Sequence, residues 1–432
     1  MPNFLTTGHA TNTIDAAALH AHLDRYIAEQ IDAKGVKRLL ILPPDITRLN
    51  SMAGEITAYL WDQLAERVHI DLMPALGTHV PMTQAQCKRM FGDAIPMSRI
   101  LPHRWRDDLR ELGELSAAFI GELSEGKLVK PMQVAVNKQL FEGAYDLIVS
   151  IGQVVPHEVI GLANYTKNVM IGVGGKDTID KSHFLGAVCG MESIMGRADT
   201  PVRRALNAGF DRFVRPALNV QFILTVIGPD EDFNNVLRGL YIGDDDATFE
   251  AAGELSRQVN FDVFDEPVDR CVVYLDPEEF HTTWLGNKAV YRTRMAMADD
   301  GELIILAPAL KGFGEDPGID TLIRRHGYKG TPHTLKAIED DPEMAGNLSA
   351  AAHLIHGTSE GRFNITYCPG DGVTQQEIES VGFGYRAYDD AAAQYDPAKL
   401  TTGWHTDTDG QQFFYIANPA LGLWASKQRL GN

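Results

Sequence analysis

Cysteine is scarce in this chain and its four copies are scattered. Cys87, Cys189, Cys271 and Cys368 form no C-x-x-C pair in 432 residues, which argues against a disulfide framework and a zinc ribbon and suits buried thiols in a reducing compartment. Long apolar runs are missing as well. No stretch approaches the roughly 18 uninterrupted apolar residues of a membrane span, so no membrane partner is expected. The N-terminal MPNFLTTGHATNTID has neither the basic nor the apolar region of a secretory signal, and a cytoplasmic location follows as the expectation. Positive charge is in deficit: 39 basic against 58 acidic residues give a net charge of −19. Nucleic acid is therefore not an expected partner, and an anionic ligand needs a local basic pocket because the overall field repels it. Internal repeats, heptads and low-complexity linkers are absent. The glycine-rich GVGGKD at Gly172 to Asp177 lacks both the full phosphate loop and the dinucleotide fingerprint.

What is present is an ordinary enzyme-like composition, 44% hydrophobic and 22% charged, in a chain longer than one core accommodates. Short apolar runs alternate with helical patterns, which predicts an α/β protein of two α/β domains with mostly parallel sheets and an active-site cleft between them. The N-terminal catalytic and cofactor-binding domain is expected over 1–268. The C-terminal domain, 269–432, is expected to close over the substrate. Within it, Trp284 to Met297 reads as one helix, and the glycine-bearing loop Pro308 to Glu315 follows a buried strand; in the first domain Ile14 to Ile31 and Leu185 to Met195 also read as helices.

Polar residues gather just past three predicted strands of the first domain. Lys37 to Leu42 is stopped by Pro43-Pro44, leaving Asp45, Thr47 and Arg48 in the loop; His69 to Ala75 leads to Gly77-Thr78-His79; Asp146 to Ile151 leads to Pro156-His157. In a parallel sheet such loops share one edge, where ligands collect. Taken singly, each residue also has a structural reading. A lone histidine is usually a hydrogen-bonded structural group, Asp45 and Thr47 suit a helix cap, Arg48 a surface ion pair, and Lys167, among Asn164, Tyr165, Thr166 and Asn168, a solvated lysine.

Taken together, the segments PPDITR (43–48) and GTHVPMT (77–83), and Pro156-His157 followed ten positions on by Lys167 and then by His183, resemble the nickel-dependent lactate racemase family over nearly the whole chain. The resemblance implies a racemase or epimerase, an isomerase that inverts carbon 2 of a 2-hydroxy acid. It implies a nickel pincer nucleotide joined covalently to Lys167, with His183 as the nickel ligand and His79 and His157 as paired acid-base groups. Asp45, Thr47, Gly174, Gly175 and Lys176 would line the cofactor, and Arg48, Trp284 and Lys288 the substrate. Enzymes that make the cofactor are implied partners, and the sequence leaves room for a homo-oligomer. The approach to the lysine, Leu162 to Thr166, departs from the family. Tyr165 makes it bulkier and the basic residue before Lys167 is gone, which implies an altered cofactor or substrate contact.

These residue types suit that chemistry. The C2 hydrogen of a 2-hydroxy acid is poorly acidic beside a carboxylate, whereas removing it as hydride gives a flat 2-keto acid that can be reduced on either face. Imidazoles titrate near neutral pH and serve in turn as base and acid. Imidazole also suits nickel, a lysine amine suits covalent attachment, and a guanidinium grips a carboxylate through two hydrogen bonds. The loose match of Trp284, Leu285 and Lys288 to the lactate-binding positions points to a larger acid than lactate, a dicarboxylate or a sugar acid such as an aldonate. Two other readings compete. One is a divalent-metal-dependent hydrolase or isomerase using His79, His157 and His183, and the other is a catalytically silent small-molecule binding homologue.

Overall fold

The structure is a computed structural model that describes residues 3–230, 234–419 and 422–430. It divides into two compact units. One comprises the chain up to Leu185 with Ile194–Asn260, and the other comprises Gly186–Ser193 with the chain from Phe261 onward. The position 268 marked from sequence is the first residue of the strand Val268–Tyr274.

The sheet of the first unit has the strand order Leu5–Gly8, Asn235–Gly243, Val220–Pro229, Leu147–Gln153, Arg38–Leu42, His69–Leu72. The last four are mutually parallel, and the first two add antiparallel. Leu39, Leu40, Ile41 and Leu42 are all fully buried, as expected of a parallel strand covered on both faces. From Arg38–Leu42 the chain steps outward to His69–Leu72, then returns to the opposite side with Leu147–Gln153. The direction of winding thus reverses between Arg38–Leu42 and Leu147–Gln153. The carboxyl ends of these two neighbours form the switch-point crevice where open α/β sheets hold ligands.

Several helices differ from the sequence reading. Ile14 to Ile31 becomes the α-helix Ala16–Tyr26 continued by the π-helical turn Ile27–Asp32. The helix placed at Leu185 to Met195 instead starts at Lys176 and runs to Cys189, so His183 sits inside it, and Gly190, with φ +86°, separates it from the turn Met191–Ile194. In the second unit, the helix expected over Trp284 to Met297 is two short ones, Thr283–Gly286 and Lys288–Thr293, and Met297 already opens a strand. The break falls at Asn287, whose side-chain oxygen accepts the buried Tyr367 hydroxyl at 2.7 Å.

The second sheet runs Gly384–Tyr385, Asn364–Pro369, Met297–Ala307, Val268–Tyr274, Gln412–Ile416, Gly403–Thr406, parallel except for the last strand. Both sheets are thus mostly parallel, as the alternation predicted. In the loop Pro308 to Glu315 the Phe313 and Gly314 amides donate to Asp320 Oδ1 at 2.8 and 3.1 Å. An internal carboxylate occupies these two donors. Among the described residues no helix is long and apolar enough to cross a membrane.

Glycine packing sets one tight constraint in the first unit. A Cβ on Gly174 would lie 1.9 Å from the Met170 carbonyl oxygen, whereas one on the helical Gly121 would meet only the Val129 side chain, at 3.5 Å. Gly174→Ala should therefore destabilise the protein by about 1–3 kcal/mol through overpacking. Gly121→Ala should be neutral or stabilising by up to ~1 kcal/mol, because alanine favours the helix. Denaturant midpoints check both, and equal midpoints for the two variants would contradict the packing account.

Candidate active site

The central strand of the crevice, Arg38–Leu42, ends in Pro43-Pro44 and delivers Asp45 as the N-cap of the 3₁₀ turn Ile46–Ser51. Asp45 is buried, and its two oxygens do different work. Oδ1 accepts the Thr47 amide at 3.1 Å and the Thr47 hydroxyl, while Oδ2 accepts His79 Nδ1–H at 2.6 Å. Burial alone pulls the Asp45 pKa up. The hydrogen bonds from His79 and Thr47 and the His79 charge outweigh it and hold the carboxyl below its ordinary range. An ionised Asp45 fixes the Nδ1–H tautomer of His79 and leaves Nε2 as a base. Arg48 is exposed, and its guanidinium makes no hydrogen bond or ion pair with the described residues.

His79 reaches Asp45 from the neighbouring strand through a turn that needs glycine. Gly77 has φ +58° and donates its N–H to Gly172 O at 2.8 Å. This bond ties the His79 loop to the segment after Lys167.

On the other side of the crevice, Leu147–Gln153 leads into the hairpin Pro156–His157 with Gly161–Leu162. The His157 ring is largely buried. Its Nδ1 accepts the Val159 amide at 3.1 Å, which places the proton of the neutral ring on Nε2. Its pKa is well below the ordinary value. Burial is the main cause, the charges of Lys167, Arg48 and His183 add to it, and Glu158 opposes it.

Lys167 lies in the short helix Thr166–Met170, beside Asn168, whose Nδ2 donates to Leu42 O at 3.0 Å and to Ser150 Oγ at 2.9 Å. The helix is thereby pinned over the carboxyl ends of both switch-point strands. Two consecutive positive φ angles, +66° at Asn164 and +59° at Tyr165, turn the chain into it. These are strained values for residues with side chains. Tyr165 is held by its ring, which packs against Phe222 and Phe249 with centroids 4.5 and 5.2 Å apart. Its bulk lies in the core rather than beside the lysine. The buried Arg203 staples the same loop, donating to Leu162 O at 2.6 Å, Asn164 O at 3.1 Å and Thr166 Oγ1 at 3.0 Å.

As a residue Lys167 is only partly shielded, yet desolvation of its amine dominates its acidity. Burial, followed by the Arg48 charge, pushes its pKa down to about 8, against opposing pulls from Glu158 and Asp45. No described residue hydrogen-bonds or ion-pairs with this amine. His183, inside Lys176–Cys189, donates Nδ1–H to Ile179 O at 2.7 Å, so Nε2 carries the lone pair. Burial lowers its pKa and favours the neutral form that a metal requires. A histidine whose far nitrogen is committed to a backbone carbonyl is the usual arrangement of a metal ligand.

Asp45, Arg48, His157, Lys167 and His183 thus form one electrostatically coupled cluster, and His79 joins it through Asp45. Thr47 supports Asp45. Gly174 and Gly175 have their amides committed to Ile171 O and Ala135 O, at 3.2 and 3.1 Å, and Gly174 O accepts from His103 at 3.1 Å. Lys176 is exposed and paired with Asp180. Trp284 and Lys288 belong to the second unit. There Trp284 packs against His353 in a tilted arrangement with ring centroids 4.3 Å apart, and Lys288 pairs with Glu279 at 3.3 Å. Sequence reasoning missed Glu158, Asn168 and Arg203. Only Glu158 carried a signal, its position next to His157.

An unpaired, desolvated ammonium costs stability, and the sign can be worked out. The folded pKa of about 8 lies below the 10.5 of a free lysine. The unfolded chain therefore binds more protons between those values, and stability rises with pH across that window. Below about 8 the fold bears the whole cost. In the protein without cofactor, Lys167→Met should be more stable than wild type by about 1–3 kcal/mol at pH 7, with the gap shrinking as pH rises through 8 toward 10.5. Denaturation at several pH values checks this, and a Met variant less stable than wild type at pH 7 would contradict it.

Comparison with known proteins follows the same lines. Residues 6–196 match the family model of the lactate racemase N-terminal domain. No curated protein matches the chain in sequence. A crystal structure of a Thermotoga maritima protein from a structural genomics consortium aligns with 98% of this chain and 100% of its own, at 24% identity and a TM-score of 0.78. The lactate racemase apoprotein from Thermoanaerobacterium thermosaccharolyticum aligns over 97% of this chain and 94% of its own, at 14% identity and a TM-score of 0.69. At these identities the two structures establish likeness of fold. Residues 6–196 thus match a lactate racemase N-terminal domain, and the chain as a whole shares the fold of the lactate racemase apoprotein.

Proposed function

We propose that this protein is a racemase or epimerase acting at carbon 2 of a 2-hydroxy acid, with Lys167 as the attachment point of a nickel pincer nucleotide and His183 as its protein ligand. The observation that carries this reading is the pair formed by the two residues. Lys167 offers an unpartnered amine with a pKa of about 8, and His183 is locked by Ile179 O with Nε2 available. These are the two groups that a covalently held, singly histidine-ligated nickel cofactor needs, so the residues fit the group. Among the described residues no three His, Cys, Asp or Glu side chains gather as a metal site, which counts against a three-histidine divalent-metal hydrolase.

When bound, the cofactor would supply the electrophile for hydride chemistry at C2, held by Lys167 and His183. The chain's own residues do the rest. Arg48, unpaired at the crevice, binds the substrate carboxylate against the repulsion of a chain with net charge −19. His79, backed by Asp45, removes the hydroxyl proton of one stereoisomer, and His157 handles that of the other. A substrate larger than lactate, a dicarboxylate or sugar acid, remains our reading of the changed residues Trp284 and Leu285.

Mass spectrometry of the intact protein, co-expressed with cofactor-making enzymes, tests attachment. Wild type should carry an adduct that Lys167→Ala loses, while His183→Ala should keep the organic adduct and lose nickel. An adduct on the Lys167→Ala protein would sink this assignment. In steady-state assays Arg48→Ala should weaken binding of both stereoisomers by about 1.5–3 kcal/mol. A loss confined to one stereoisomer would contradict its role as carboxylate anchor.

A further inference from the structure

The two histidines assigned to acid-base work are held differently. His79 Nδ1 faces the Asp45 carboxylate at 2.6 Å, so its neutral ring carries the proton on Nδ1 and leaves Nε2 bare. His157 Nδ1 instead accepts the Val159 amide, so a protonated Nε2 is its resting form. In that form His157 can donate a hydrogen bond but cannot receive a proton on Nε2. To act as a base it must carry its proton on Nδ1, which breaks the bond from Val159 and requires an acceptor at that nitrogen.

Such an acceptor stands close by. Glu158 Oε2 lies 4.0 Å from His157 Nδ1, with the two side chains 26% and 12% exposed. That is about 1 Å beyond hydrogen-bond length, within reach of a side-chain rotation of a partly exposed glutamate. We infer that Glu158 is a positioning residue for His157, swinging onto Nδ1 to hold the ring in its base-competent form, as Asp45 does permanently for His79. This inference rests on the racemase reading for its catalytic consequence, but its structural part stands apart from it.

The groups that act on His157 agree with this. Lys167, Arg48 and His183 all disfavour charge on its ring, and Glu158 favours it. When His157 takes a hydroxyl proton, that proton goes to Nε2, the Nδ1 proton stays on the ring in a hydrogen bond to Glu158, and the imidazolium charge is balanced by the carboxylate. The return step reverses each transfer. Without Glu158 the imidazolium would stand among three groups that disfavour its charge, with the Val159 amide pointing at its Nδ1–H. His157 would then be confined to its donor form.

Two readouts on the full-length protein test the inference. In the cofactor-free protein with ¹⁵N-labelled histidine, and His157→Gln used to assign the signal, the His157 ring should protonate at higher pH in wild type than in Glu158→Leu. Glu158→Asp should partly restore the wild-type behaviour. In the loaded protein, single-turnover reduction of the cofactor by pure stereoisomers should be slowed on the order of tenfold or more by Glu158→Leu for one isomer only. That isomer should be the one whose oxidation survives in His79→Ala. Identical His157 titrations in wild type and Glu158→Leu, or equal slowing of both isomers, would overturn the inference. If the loaded protein oxidises no 2-hydroxy acid, the racemase reading fails while the titration still decides the Glu158–His157 pairing.

Discussion

The buried carboxamide of Asn168 joins the Leu42 carbonyl to the Ser150 hydroxyl across the switch point of the first sheet, and the site depends on that bridge. It seats the helix Thr166–Met170, and so Lys167, on the carboxyl ends of two adjacent parallel strands. The same strands deliver Asp45 with Arg48 and, through the hairpin, His157. The bond from Gly77 N–H to Gly172 O draws in the third strand end with His79. Arg203 and the Tyr165 ring hold the entry to the lysine from the core side. Three loops that are far apart in sequence are thereby fixed to one segment by a few backbone-directed hydrogen bonds.

This arrangement concentrates groups that a stable fold would avoid. An amine without a partner, two histidines kept neutral by burial, and two strained φ angles in succession lie within one segment of chain. Each is unfavourable alone, and the surrounding core offsets them. Proteins break local rules in this way mainly at functional sites. Desolvation also works in favour of the chemistry. It brings the amine of Lys167 into a range where a useful fraction is unprotonated, and it keeps the His157 and His183 rings neutral, as the proposed function requires.

Much of this is legible in the sequence, for identifiable reasons. Buried parallel strands read as continuous apolar runs, and Pro43-Pro44 marks where one stops, so the residue pattern alone places Asp45, His79 and His157 past strand ends. For Asp45 the capping reading holds, since one oxygen caps the turn, while the contact of the other with His79 carried no signal in the sequence. The antiparallel strands are harder to read. Asn235–Gly243 is interrupted by Arg238-Gly239, where the pairing register shifts, and Leu5–Gly8 is four residues in a polar stretch. Lys176–Cys189 shows weak periodicity because its residues are buried on several sides, so its expected start falls too late. Arg203 is invisible, because nothing local says that an arginine 36 positions after Lys167 is buried on that loop. The bulk of Tyr165 is visible but its direction is not, since that is set by Phe222 and Phe249 from distant elements.

The central claim is that this crevice inverts carbon 2 by moving a hydride, with the histidines handling only the hydroxyl proton. The most direct measurement is the fate of the C2 hydrogen. Protein loaded with cofactor is given a panel of C2-deuterated 2-hydroxy acids in ordinary water, and both stereoisomers of each are analysed after conversion. Deuterium retained at C2 in the inverted product is the predicted result. Deuterium replaced by solvent hydrogen, or no inversion of any acid by protein shown to carry the adduct, would contradict the account.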